Sequence, residues 1–191
     1  MAHINSIGAG MFSDLSIANP VSPVTYAVDT EAEFVALFAT ESDVAGAGAF
    51  VRVKNVREFP SMGTPPNVVN VPVYGQKSSQ QIQGQSDAPS LEITVNYVPA
   101  DWASGTVLGG MVGDGKLHAF RFTLLNSEPT GSTPATKYAS VAAGLGTVQN
   151  SEYYWLGKVE AIQVNPQLTD ANTATITFTI QSAFYGAYTV S

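Results

Sequence analysis

The sequence predicts a mainly β chain, an antiparallel β-sandwich or barrel with one short flanking helix and a long inter-strand loop. Three observations carry that prediction. In 90–98, Leu91, Ile93, Val95 and Tyr97 share one face while Ser90, Glu92, Thr94 and Asn96 share the other. In 173–184 the same alternation sets Ala174, Ile176, Phe178 and Ile180 against Thr173, Thr175, Thr177 and Thr179. A strand with one buried and one wet face has this period-two pattern. Four further segments, 49–59, 68–74, 117–125 and 153–164, are rich in Val, Ile, Thr and aromatic residues and read as strands.

Taken in order, residues 1–28 read as an N-terminal arm, and 29–191 as a single β-barrel or sandwich domain. The arm mixes Gly, Ser and Pro with Met11, Phe12, Leu15 and Ile17. Large apolar side chains are ill placed in free solution, so Met11, Phe12 and Leu15 are expected to pack on the barrel or on a neighbour. A disordered start is the alternative. Thr30 begins a helix over 30–39: it caps the first turn, Glu33 reaches back to the cap amide, and Phe34, Leu37 and Phe38 form the apolar stripe. Past Ala45-Gly46-Ala47-Gly48 the period changes from helical to alternating. A weaker strand candidate spans 137–148. Between the two alternating strands, Pro99-Ala100-Asp101-Trp102 opens a short helical segment to Met111, capped by Asp101, that covers an open end or outer face of the β structure. Gly105, Gly109 and Gly110 weaken that helix.

The tract 75–90 is the longest polar stretch inside the body, and it exceeds the usual inter-strand length of about 4–6 residues. Its candidates for contact with a partner surface are Gln76, Lys77, Ser78, Ser79, Gln80, Gln81, Ile82, Gln83 and Gln85. Neutral donors and acceptors suit a loop that orders against a partner, including by strand addition to a sheet edge. A surface hairpin with no partner fits the same residues.

Composition narrows the function. The chain has 191 residues, 45% of them apolar and only 12% charged. Soluble monomers carry about a quarter charged residues, so a surface this poor in charge is one that subunit interfaces would cover. Fifteen acidic residues against eight basic ones give a net charge of −7, with no Lys or Arg run. That excludes a tight phosphate-binding surface, which needs clustered cations. There are no cysteines, so stability comes from packing and pairing. The start of the chain lacks the basic and apolar regions of a secretory signal, and no stretch approaches the ~18 apolar residues of a membrane span. Synthesis and folding in the cytoplasm, without membrane insertion, are expected.

Catalytic chemistry is not expected, and no cofactor or metal site is assigned. The two histidines, His3 and His118, carry no accompanying nucleophile or ligand spacing, and His118 reads as a sheet residue beside Phe120 and Phe122. Asp114-Gly115 reads as a turn. Gly113-Asp114-Gly115-Lys116 lacks the phosphate-loop spacing and a following Ser or Thr.

The run Gly84-Gln85-Ser86-Asp87-Ala88-Pro89-Ser90-Leu91-Glu92-Ile93-Thr94-Val95-Asn96-Tyr97-Val98-Pro99-Ala100-Asp101 resembles the loop-to-strand-to-helix passage of major tail tube proteins from long-tailed bacteriophages with non-contractile tails. That family is related to the tube proteins of contractile tails and of type VI secretion. The resemblance implies a small β-barrel or sandwich flanked by a helix. It also implies homo-oligomeric rings, commonly six-fold, stacked into the hollow tail tube of a virion, around a tape-measure protein and between tail-tip and terminator proteins. Double-stranded DNA passes through such a tube without tight binding. In that setting Ser90, Glu92, Thr94 and Asn96, with Thr173, Thr175, Thr177 and Thr179, are the lumen-facing candidates. The same rows facing solvent on a monomer is the other reading. The competing function is a non-enzymatic β-sandwich binding module, a capsid decoration or carbohydrate-binding protein, with Trp102, Trp155, Tyr153 and Tyr154 as a stacking platform.

Overall fold

The two alternating segments become neighbouring strands, and the rest of the architecture is arranged around them. The computed structural model describes residues 13–61, 68–72, 74–75, 77, 80–83, 90–124 and 151–186. In chain order the first elements are β1 (Asp14–Ala18), α1 (Glu31–Ala36), β2 (Thr40–Glu41), β3 (Ala49–Arg52), β4 (Val56–Glu58), β5 (Val68–Val71) and β6 (Gln80–Gln83). They are followed by β7 (Ser90–Asn96), α2 (Val107–Met111), β8 (His118–Leu124), β9 (Ser151–Asn165), β10 (Thr173–Ile180) and β11 (Tyr185–Gly186). A nine-stranded sheet runs β2-β3-β1-β8-β9-β10-β7-β4, with β11 also on β9, while β5 and β6 form a separate two-stranded sheet. The fold is mainly β, as expected, but the large sheet is mixed, because β2 runs parallel to β3.

The sheet has two halves that enclose one core. Leu15, Ile17, Val51, Phe120, Phe122 and Trp155 come from the β3-β1-β8-β9 half, and Leu91, Ile93, Val95, Ala174, Ile176, Phe178 and Ile180 from the β10-β7 half. Phe120 stacks on Trp155 at 5.4 Å between ring centroids and meets Phe178 edge-on at 5.3 Å, joining the halves. Burying an aromatic or branched aliphatic side chain of this kind contributes about 1.5–3 kcal/mol. A second cluster lies on the other face of the first half, where Phe34 and Phe38 of the α1 segment cover Ala18, Phe50, Ala119, Tyr154 and Leu156. The Thr30–Glu33 capping box is formed: Glu33 N–H donates to Thr30 Oγ1, and the Thr30 hydroxyl and amide donate to Glu33 Oε2. Those bonds, the Thr30 hydroxyl first, hold the Glu33 carboxyl below its usual pKa.

Five expectations are corrected. Residues 14–18, read as arm, are instead a strand between β3 and β8, and Leu15 packs in its own chain's core, the first of the two placements expected of it. The reason is a short alternation, Leu15 and Ile17 inward and Asp14 and Ser16 outward, whose polar side is met by Arg52 at 2.9 Å and by Arg121. Met11 and Phe12 lie outside the described residues, as does 137–148. The single strand expected over 49–59 is split into β3 and β4 by Asn55, whose φ of 59° turns the chain from one half of the sheet to the other edge. Residues 80–83, placed in the polar loop, form β6, held by pairing with Val68–Val71. The helix expected after Asp101 begins at Val107, because the Thr106 hydroxyl accepts from Gly109 N–H and supplies the cap. Finally, Trp102, Tyr154 and Trp155 are buried and Tyr153 packs against the core, so the four make no stacking platform.

Gly157 marks where β9 passes from one half to the other. It pairs with His118 of β8 on one side and Ile180 of β10 on the other. An added Cβ would collide with the Thr179 carbonyl oxygen and press on the Phe120 ring at 3.1 Å. Gly157→Val is expected to lower unfolding free energy by about 2–3 kcal/mol, read as a fall in the thermal midpoint.

Beneath α1, the Tyr154 hydroxyl donates to Glu152 Oε2. Burial, then the Glu152 charge, pushes the phenol's pKa up, with Arg121 acting more weakly in the opposite direction. A folded pKa raised above the unfolded value of about 10 contributes stability that is complete below that pH and is lost as pH rises. Unfolding free energy from urea titrations is therefore expected to decline between about pH 9 and pH 11. In Tyr154→Phe that slope should shrink by up to one proton's worth, ~1.4 kcal/mol per pH unit.

Candidate functional site

The two polar rows picked from the sequence lie side by side. Antiparallel pairing of β7 with β10 sets Thr173 against Asn96, Thr175 against Thr94, Thr177 against Glu92 and Thr179 against Ser90. Residues opposite one another in an antiparallel pair share a face, so all eight candidates occupy one surface. β9 extends it, placing Asn165, Gln163, Ala161 and Lys158 beside Thr173, Thr175, Thr177 and Thr179. The β9 residues lay outside the expected rows. Their sequence, Lys158-Val159-Glu160-Ala161-Ile162-Gln163-Val164-Asn165, alternates only until a register shift at the Thr177/Phe178 step of β10.

The face is hydroxyl-rich and slightly acidic. Ser90, Glu92 and Asn96 are exposed, Thr94, Thr175, Thr177 and Thr179 are half-buried, and Thr173 is buried. Behind it Leu91, Ile93, Val95, Ala174, Ile176, Phe178 and Ile180 are at most 2% exposed. The period-two pattern therefore fixes which row meets water. Cross-strand bonds tie the hydroxyls: Asn165 Nδ2 donates to Thr175 Oγ1 at 3.3 Å, and Thr179 Oγ1 donates to Glu160 Oε1 at 2.9 Å. Charged groups are few. Glu92, Glu160 and Glu58, which pairs opposite Thr94, stand against Lys158. At the edge beyond, Arg57 reaches Asp170 at 3.5 Å, an exposed pair of little energetic weight.

The outer faces of the two halves are thus unlike. On the first half, charged and polar groups are packed under covering chain: Asp14, Ser16, Arg121, Thr123 and Glu152 are all at most 5% exposed, and Arg121 lies 4.9 Å and 4.5 Å over the Phe38 and Phe50 rings. On the second half the Thr-rich face faces outward. Of the loop candidates, Lys77 is exposed and Gln80, Gln81, Ile82 and Gln83 belong to β6, while Gln76, Ser78, Ser79 and Gln85 lie outside the described residues. His118 begins β8, buried, with Nε2 3.2 Å from Asp114 Oδ1. Among the described residues no three His, Cys, Asp or Glu side chains group as metal ligands.

No family model and no curated protein matches the chain. Solved structures do. A chain in the sheath/tube terminator of the extracellular contractile injection system PVC superposes with a TM-score of 0.52 at 7% identity, over 97% of this chain and 99% of that one. A chain in the six-fold symmetrised baseplate of the anti-feeding prophage superposes with a TM-score of 0.51 at 8% identity, over 96% and 97%. At such identities what is shared is the fold, over nearly the whole length of each chain. These two neighbours are parts of an extracellular contractile injection system and of the anti-feeding prophage.

Proposed function

We propose that this chain is a non-catalytic structural subunit of a phage-tail-like tube, forming rings that stack around a lumen lined by the β9-β10-β7 face. The observation that carries the reading is the polar face itself, three strands wide and without cover among the described residues, on a chain whose other sheet half is capped by a helix. A wide face rich in hydroxyls and slightly acidic suits the passage of a polyanion, because rings of Lys or Arg would bind phosphates and add a periodic barrier. The ring is read as six-fold and the cargo as double-stranded DNA, with tape-measure, tail-tip and terminator proteins as partners in a virion tail. The charge-poor composition supports burial of the remaining surface between copies.

One comparison favours a second reading. The terminator structure among the fold neighbours suggests a subunit that closes a tube as one ring rather than repeating along it. Electron microscopy of concentrated, purified protein separates the two: hollow, regularly striated tubes support the repeating subunit, isolated rings support the terminator, and persistent monomers would sink both.

Deleting residues 76–85 is expected to leave a folded subunit, by circular dichroism, that no longer polymerises; normal tubes from this variant would remove the tract from the ring contact. Glu92→Lys introduces a repeated cation on the proposed lining. Tubes should form normally while DNA ejection from particles carrying the variant slows, and unchanged ejection kinetics would take Glu92 out of the lumen.

A further inference from the structure

The β5–β6 hairpin is a small sheet of its own. Among the described residues its strands pair only with each other, Val68 with Gln83 through Val71 with Gln80. A two-stranded hairpin is marginally stable in water and gains stability from a third strand or a packing partner. Its edges are also undefended. Exposed strands are normally blunted by charges or proline within them, yet Val68-Val69-Asn70-Val71 and Gln80-Gln81-Ile82-Gln83 contain neither.

The hairpin lies between β4 and β7 in the sequence. Val68 lies twelve residues beyond Val56 and Gln83 twelve before Val95, and Val56 pairs with Val95 just as Val68 pairs with Gln83. The β4–β7 ladder shifts register between Val56 and Glu58, so the hairpin is a ladder of its own and not a continuation of that one.

Charge selects where it docks. Between Glu58 and Asp87 the sole charged residue is Lys77, exposed near the hairpin turn beside the fully exposed Tyr74. The first 51 residues carry six carboxylates and no Lys or Arg. Within them, edge strand β2 presents Glu41, followed by exposed Asp43 and by Val44, which is 77% exposed. The opposite edge, at β4, is mixed in sign, with Arg57 paired to Asp170 and next to Glu58, and offers Lys77 no comparable run of carboxylates.

We propose that the β5–β6 hairpin of one copy adds to the β2 edge of a second copy, with Lys77 against Glu41 and Asp43 and Tyr74 against Val44. This inference rests on the self-assembling reading above and names the contact that reading requires. A hairpin and an edge are different patches, so the contact is head-to-tail and propagates from copy to copy.

The test is self-association of the purified full chain by sedimentation velocity across a concentration series, at low and high salt. Lys77→Glu and the pair Glu41→Lys with Asp43→Lys are each expected to weaken association roughly tenfold, with thermal midpoints unchanged, because these side chains lie on the surface. One chain carrying all three reversals is expected to regain wild-type association, since the charges oppose again. That rescue is an outcome misfolding would not produce, and Lys77→Gln gives an intermediate value by the same logic. Wild-type assembly that Lys77→Glu leaves intact, or a triple variant that fails to recover, overturns the docking while leaving self-assembly standing. A wild-type chain that stays monomeric throughout overturns both.

Discussion

The two halves of the nine-stranded sheet are tied together through β9. Its first half, Ser151 to Gly157, pairs with β8, and its second half pairs with β10, so one fifteen-residue strand belongs to both sides of the core. The crossing needs three things at one place: a residue without a side chain at Gly157, an irregularity in the ladder at Phe178, and the Phe120–Trp155 stack with Phe178 against its edge. Lose the crossing and the two halves no longer share apolar surface. The core, the cover over its far side and the open polar face all depend on it.

The same crossing explains why the two outer faces differ. The chain before β2 and α1 lies over the first half, so polar side chains there had to find partners inside the protein, as Asp14 does with Arg52 and Tyr154 with Glu152. Buried charges without such partners cost more than they return. The second half has no such cover among the described residues and keeps hydroxyls and amides, which water or a neighbouring molecule can satisfy. A surface of Thr, Ser and Asn asks for little and holds nothing strongly, which suits a wall past which something moves.

What was legible in the sequence follows from how local its cause was. β7 and β10 were read correctly, with the right residues on the right face, because their period-two pattern is unbroken and nothing else explains it. The α1 cap was legible because a capping box is contained in four residues. β1 was misread because its five residues sit in a stretch of Gly, Ser and Pro, and its two flanking strands are distant in sequence. Asn55 was invisible for a similar reason: a single left-handed residue between Val, Arg and Lys gives no pattern. β6 looked like loop because glutamine has weak strand preference on its own, and only its partner Val68–Val71 makes it a strand. For the site, the two rows were legible and were assigned to one lining, but that they pair directly was not. That depends on strand order, as does the third row from β9.

The placement of the two tryptophans has an optical consequence. Trp155 is wholly enclosed and Trp102 is 9% exposed in the same cluster, so both indoles sense the interior. Their emission reports whether the chain is folded and is nearly blind to whether copies have come together. Tyr74, fully exposed at the hairpin turn, is a site where an introduced fluorophore would register a neighbour's arrival while the intrinsic signal stays constant. Folding and association can then be followed in a single cuvette at two separate wavelengths.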